Sequence, residues 1–200
     1  MDATVLLAFI VVVIVAFVLI KVVTNHGSGK AEFSVGSLLT AKVEFDAATR
    51  ERAKESIRKA AEQRGETDIS KTERKIDNTT SVQLARLLWV DDNPDNNLYE
   101  TVALEQLGLL ITKATSTDAG LFYLSQLQYA LAITDLGRNE GPEAGLDFTR
   151  RVKITYPDLP VIVYTINAVA VRAKLIGAGA TAVVDQPGDL ANAVLATRNA

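Results

Sequence analysis

The 200-residue sequence has no cysteine, one histidine and one tryptophan. Without cysteine there is no disulfide scaffold, no thiol nucleophile, and no cysteine-ligated zinc or iron–sulfur site. The lone histidine, His26, rules out histidine-rich metal sites. An excess of one charge sign is also missing. Lys and Arg number 21 against 24 Asp and Glu, for a net charge of −3, so nothing global points to nucleic acid. Also missing are a Ser or Cys nucleophile motif and a Gly-rich phosphate loop, so turnover of an external substrate is not expected and the chain is read as a non-enzyme.

What the chain has in surplus is hydrophobicity, 48% of its residues. The surplus is local. Residues 1–23 hold only three non-hydrophobic positions, Asp2, Thr4 and Lys21. Ala3 to Ile20 is uncharged and spans about 27 Å as a helix, close to the thickness of a bilayer core. No basic stretch precedes it and no small-x-small cleavage site follows it, so a retained single-pass anchor is expected rather than a cleaved signal peptide. Lys21, Lys30 and Lys42 lie on its C-terminal side, which places the rest of the chain on the cytoplasmic face of the cell membrane.

Residues 24–83 read as a juxtamembrane segment. Asn25 to Gly29 is a flexible joint. Alternation at Phe33 and Val35, and again at Ala41, Val43 and Phe45, with Gly36-Ser37 between, suggests a hairpin over 31–45. Residues 47–64 are rich in helix formers and carry a thin apolar stripe of Ala53, Ile57, Ala60 and Ala61, with Gly65 placed to end the helix. That stripe allows two readings, a solvated helix or a self-association surface that builds a homo-oligomer. From Glu66 to Ser81 charges are many and only Ile69 and Ile76 are apolar, so a linker is expected.

From Leu84 short apolar runs alternate with helical stretches. The runs are Leu87–Val90, Leu109–Thr112, Tyr129–Thr134, Pro160–Tyr164 and Ala180–Val184. Helical stretches fall near 94–107, 117–127, 143–155, 168–177 and 189–198. Five strands and five helices in βα order predict an α/β domain over 84–200, with a parallel sheet covered on both faces. Function in such a sheet lies at the carboxyl ends of the strands. There the first strand ends in Asp91-Asp92, the third in Asp135, the fourth in Thr165 and the fifth in Asp185-Gln186-Pro187. Carboxylates converging on one edge repel unless neutralised, and a hard cation such as Mg²⁺ suits oxygen ligands. A carboxylate can also act as a nucleophile and form an acyl phosphate. Asn93 reads as a helix cap with Pro94 in the first turn, and Trp89 as core packing.

An acidic pair, a later Asp and then a Thr, each ending its own strand, resembles the receiver domain of two-component response regulators. The likeness covers 84–200 and includes Leu88-Trp89-Val90-Asp91-Asp92-Asn93-Pro94, Ala132-Ile133-Thr134-Asp135, Gly145-Leu146, Pro160 to Thr165 and Gly179-Ala180. It implies a flavodoxin-like fold with five parallel strands in the order 2-1-3-4-5. It also implies Mg²⁺ held by Asp91, Asp92, Asp135 and the carbonyl of Gly137, with Asp135 as phosphoacceptor and Thr165 as the switch hydroxyl. A histidine kinase or another protein would be the partner.

The chain departs from that pattern. Gln186 stands where receivers carry a Lys, Asp185 precedes it, and the aromatic switch position reads Val183. The loop Leu136 to Glu143 is remodelled, and its Arg138 is a candidate replacement for the missing cation. The expected function is therefore a membrane-tethered, receiver-like signalling protein. The alternative is a phosphorylation-independent pseudo-receiver, acting as a membrane-bound interaction or oligomerisation module or as a ligand-responsive membrane effector. Acidic residues outnumber basic ones over 84–200, and Arg150-Arg151 is too short a basic patch for nucleic acid.

Overall fold

The computed structural model describes residues 31–34, 40–44, 47–79, 81–83 and 85–198. The expected anchor at Ala3–Ile20, the joint at 25–29 and the Gly36-Ser37 turn lie outside the described residues. Among the described residues no helix is long and apolar enough to cross a membrane.

Strand β1 (Ala31–Ser34) pairs antiparallel with β2 (Thr40–Glu44), with Phe33 opposite Ala41. The expected hairpin pairing is present, and it gains a third strand. β3 (Ser81–Gln83) adds antiparallel to β2, bringing the end of the segment back to its start.

The main sheet has five parallel strands: β4 (Ala85–Val90), β5 (Leu109–Ala114), β6 (Leu131–Thr134), β7 (Val161–Tyr164) and β8 (Ala182–Val184). Their order is β5-β4-β6-β7-β8, the 2-1-3-4-5 order that the receiver resemblance implies. Alternating residues of β4 serve the two faces. Leu88 and Val90 pack with Phe148 and Val152, while Leu87 and Trp89 pack with Leu104, Leu190 and Val194. The first face is covered by α4 (Thr117–Gln126) and α5 (Ala144–Thr155), and the second by α3 (Leu98–Gln106) and α7 (Pro187–Arg198). Helix α6 (Ala168–Gly177) seats Ala168 and Leu175 against Val163 and Val183, so Val183 is a core residue.

Two expectations are corrected on the second face. The expected linker contains a helix, α2 (Ser70–Asn78), with Thr72 and Ile76 buried. The stripe of α1 (Ala47–Arg64) is neither solvated nor left free for another copy of the chain. Ala53, Ile57, Ala60 and Ala61 are all buried. Ala53 and Ile57 join Ile76, Ala103, Leu107, Ala191 and Leu195 in one cluster between α1, α2, α3 and α7. The physical reason is that α3 and α7 are apolar on both sides, so a third layer is needed to bury their outer faces. Polar contacts fix its register. Glu66 accepts from the Gly188 N–H at 2.9 Å, Thr72 donates to the Gly188 carbonyl at 3.0 Å, and Lys75 donates to the Asn192 carbonyl at 2.6 Å. A Cβ on Gly188 would lie 2.6 Å from Glu66 Oε1 and 2.8 Å from Thr72 Oγ1, so a side chain there would displace the Glu66 and Thr72 contacts.

Candidate functional site

Parallel register gathers the site. Val90 lies beside Ala114 and Thr134, Thr134 beside Val163, and Tyr164 beside Val184. The residues that follow these strands therefore emerge at one edge. Asp91, Asp92, Asp135, Gly137 and Thr165 line one cavity of about 360 Å³ there, together with Arg64, Asn97, Arg138, Asn139 and Tyr164.

Each carboxylate is held by hydrogen bonds. Asp91 accepts from the Asn93 N–H at 2.7 Å and from Asn97 Nδ2 at 2.6 Å. Asp92 accepts from Asn93 Nδ2 at 3.1 Å and from the Asn139 N–H at 2.6 Å. Asp135 accepts from the Leu136 N–H at 2.6 Å, and the neighbouring Thr165 hydroxyl favours its ionised form. Burial raises the Asp135 carboxyl above the ordinary range, and the Asp91 charge adds to the rise; its hydrogen bonds and Arg138 only partly offset this. Gly145, at the start of α5, lets the acidic loop close, because a Cβ there would lie 2.1 Å from the Asp135 carbonyl oxygen.

Several expectations change. Asn93 makes no side-chain cap bond to the 3-10 turn Pro94–Asn97; its amide goes to Asp92 instead. Arg138 points into the protein rather than toward the open cavity. Its guanidinium donates to the Thr134 and Thr117 hydroxyls, to the Asp135 carbonyl and, at 3.1 Å, to Glu140. Burial pushes the Glu140 carboxyl upward, but the Thr117 N–H and Arg138 outweigh it and hold it low. Arg138 is thus an internal brace of the loop rather than a cation facing the open cavity. Asp185 and Gln186 line a neighbouring cavity rather than the acidic one, and among the described residues Gln186 Oε1 is buried without a partner.

Sequence reasoning missed Arg64, Asn97, Glu100 and Tyr164. Arg64 lies over the Tyr164 ring at 4.4 Å and donates to Asn97 Oδ1 at 2.9 Å. The Tyr164 hydroxyl donates to Glu100 at 2.8 Å, and burial with the Glu100 charge beside it raises its pKa strongly. None of these contacts leaves a local signal, since each joins residues at least 33 positions apart.

The donor chemistry fits a hard divalent ion. Carboxylate oxygens line a polar cavity, and the burial and neighbouring charge at Asp135 would be relieved by a cation. Among the described residues, however, no three carboxylates or imidazoles are drawn together into a preformed cage. An ion here would keep several waters, as Mg²⁺ commonly does.

A doubly wound parallel sheet with an acidic cavity at its strand ends defines the class of the C-terminal domain. Residues 87–198 match the family model for the response regulator receiver domain, and the chain belongs to that family. Among solved structures it is similar to a receiver domain protein from Clostridium thermocellum. The identity is 24% and the TM-score 0.52, over 58% of this chain and 95% of that one. It is also similar to a CheY-like receiver domain protein from Methanospirillum hungatei, with 22% identity and a TM-score of 0.52, over 58% of this chain and 94% of the other. A third is the response regulator TrrA from Thermotoga maritima in complex with Mg(2+)-BeF, with 22% identity and a TM-score of 0.51, over 56% and 98%. No curated protein matches the chain.

Proposed function

We propose that the protein is a membrane-tethered signal-transduction receiver in which Asp135 accepts a phosphoryl group from a partner kinase. The observation that carries this reading is that Asp91, Asp92, Asp135 and the Thr165 hydroxyl share one cavity wall. A carboxylate oxygen of Asp135 attacks the phosphorus of a phosphohistidine on the partner. The P–N bond breaks, its electron pair stays on the imidazole, and an aspartyl phosphate forms. Thr165, on the same cavity wall, donates its hydroxyl to a phosphoryl oxygen. Mg²⁺ at Asp91, Asp92, Asp135 and the Gly137 carbonyl would supply the charge neutralisation that brings two anions together. The output is contact with another protein rather than turnover.

The uncharged run Ala3–Ile20 supports the tether, and the lysines after it support a cytoplasmic C-terminal domain. Gln186, at the position where the family pattern has Lys, forgoes a charge-assisted contact worth about 1.5–3 kcal/mol. That substitution and the hydrogen bonds already on Asp91 and Asp92 favour a second reading, a phosphorylation-independent interaction module.

The test uses the full chain in detergent, with Mg²⁺ and beryllofluoride. A rise in Tm that disappears in Asp135→Asn is expected. No response in the wild type overturns the acceptor reading in favour of the second.

A further inference from the structure

Among the described residues the acidic cavity has two arginines on its wall, Arg64 and Arg138, and no lysine. They differ in what they have left to give. The Arg138 side chain has no solvent exposure, and its guanidinium already donates to Thr134, Thr117, the Asp135 carbonyl and Glu140. The Arg64 side chain keeps 23% of its exposure, and among the described residues its Nη1 has no hydrogen-bond partner. It is also aimed. Tyr164 lies beneath its guanidinium plane, and Glu100 sits 3.6 Å from Nε. The Asn97 amide joins it to the acidic site, its oxygen accepting from Arg64 and its nitrogen donating to Asp91 at 2.6 Å. Arg64 also lines the adjoining cavity that holds Gln186, so it stands between the acidic residues and the end of β8.

We infer that Arg64, carried by the last turn of α1, is the cationic partner of a tetrahedral oxyanion bound at Asp135. The inference rests on the acceptor reading above and extends it to a residue outside the matched 87–198 segment. A guanidinium offers paired donors suited to phosphoryl oxygens, and stacking limits the freedom it must lose on engaging them. Because Arg64 belongs to α1, oxyanion binding and docking of the α1–α2 layer strengthen each other by the same factor. The layer that connects toward the N-terminal run thereby senses the occupancy of the site.

The competing role for Arg64 is purely structural: neutralising Glu100, which is 1% exposed and has one oxygen without a partner among the described residues. The experiment separates the two roles. Full-length protein in detergent is titrated with beryllofluoride at saturating Mg²⁺, reading the fluorescence of Trp89, the one tryptophan, which meets Tyr164 edge-on at 6.2 Å. Arg64→Gln is expected to weaken beryllofluoride binding about ten- to a hundredfold. Adding Gln186→Lys to it is expected to recover most of that loss, although it does nothing for the Glu100 contact. Unchanged affinity in Arg64→Gln overturns the inference and leaves the acceptor reading standing. A loss that neither Gln186→Lys nor Arg64→Lys recovers assigns Arg64 to structure alone and also overturns it. No response in the wild type removes the acceptor reading, and this inference with it.

Discussion

The two faces of the main sheet are covered differently. Helices α4 and α5 form a single layer whose outer surface carries exposed charge and Phe122, which is 62% exposed. Helices α3 and α7 are themselves covered by α1 and α2, so that Ala103, Leu107, Ala191 and Leu195 are buried on their outer side. The same kind of helix is therefore a surface element on one face and an interior element on the other. A receiver-sized α/β unit can fold with single layers. The extra layer indicates that residues 47–78 act as a docked part of the domain and not as a spacer.

The comparison is tested most strongly in the two cores. Phe148→Ala empties a fully buried site on the single-layer face and is expected to cost about 3–5 kcal/mol in urea unfolding. Ile57→Ala, 1% exposed between the outer and inner layers, is expected to cost about 2–5 kcal/mol. The two should also differ in kind. Phe148→Ala lowers one cooperative transition, whereas Ile57→Ala raises amide exchange first in α1 and α2. Uniform exchange across the whole domain in Ile57→Ala would mean that the third layer is inseparable from the core.

The single-layer architecture was readable because it is written locally. Runs such as Leu87–Val90 and Pro160–Tyr164 are bounded by polar or turn residues, and all five strands and their helices appear within a few residues of the expected positions. The acidic residues of the site were readable for the same reason, since each ends an apolar run. The third layer is written at long range. α2 has little apolar content, and what places it is contact with Gly188 and Asn192, more than 110 residues away. The direction of Arg138 was equally hidden, because it depends on the Thr117 hydroxyl from another βα unit and on Glu140 folding back. Arg64 ends α1, and nothing adjacent to it in sequence marks its contacts with Asn97 and Tyr164.

The seam between the layers has a pH signature. Burial raises the Glu66 carboxyl above its ordinary value, and the Gly188 N–H offsets this only in part. A raised folded pKa means that the folded chain binds more protons than the unfolded one in the window above the ordinary glutamate value of 4.5. Glu66 therefore costs stability as pH rises through that window, and the cost is constant above it. Glu66→Gln keeps an oxygen for Gly188 and removes the charge. It is expected to match the wild type near pH 4 and to gain at most about 0.5 kcal/mol at pH 7, read from paired urea midpoints. A gain that is largest at low pH would show that the seam prefers the ionised carboxylate.

The smallest effect is expected on the outer surface of the single layer. Arg151 meets Asp118 at 3.2 Å and Asp147 at 3.5 Å, with all three side chains well exposed. Exposed pairs of this kind contribute little, because solvent screens them and ordering long side chains has an entropic cost. Arg151→Ala is expected to shift stability by no more than about 0.5 kcal/mol in either direction. The charges on the outer layer of the other face are placed differently. Lys54, only 14% exposed, bridges Glu51 and Asp77, and Arg58 bridges Glu51 and Glu73, so both tie α1 to α2. If Arg151→Ala costs more than 1 kcal/mol, the outer surface of α4 and α5 is a structural seam like the one between α1 and α2, and the contrast between the two faces no longer holds.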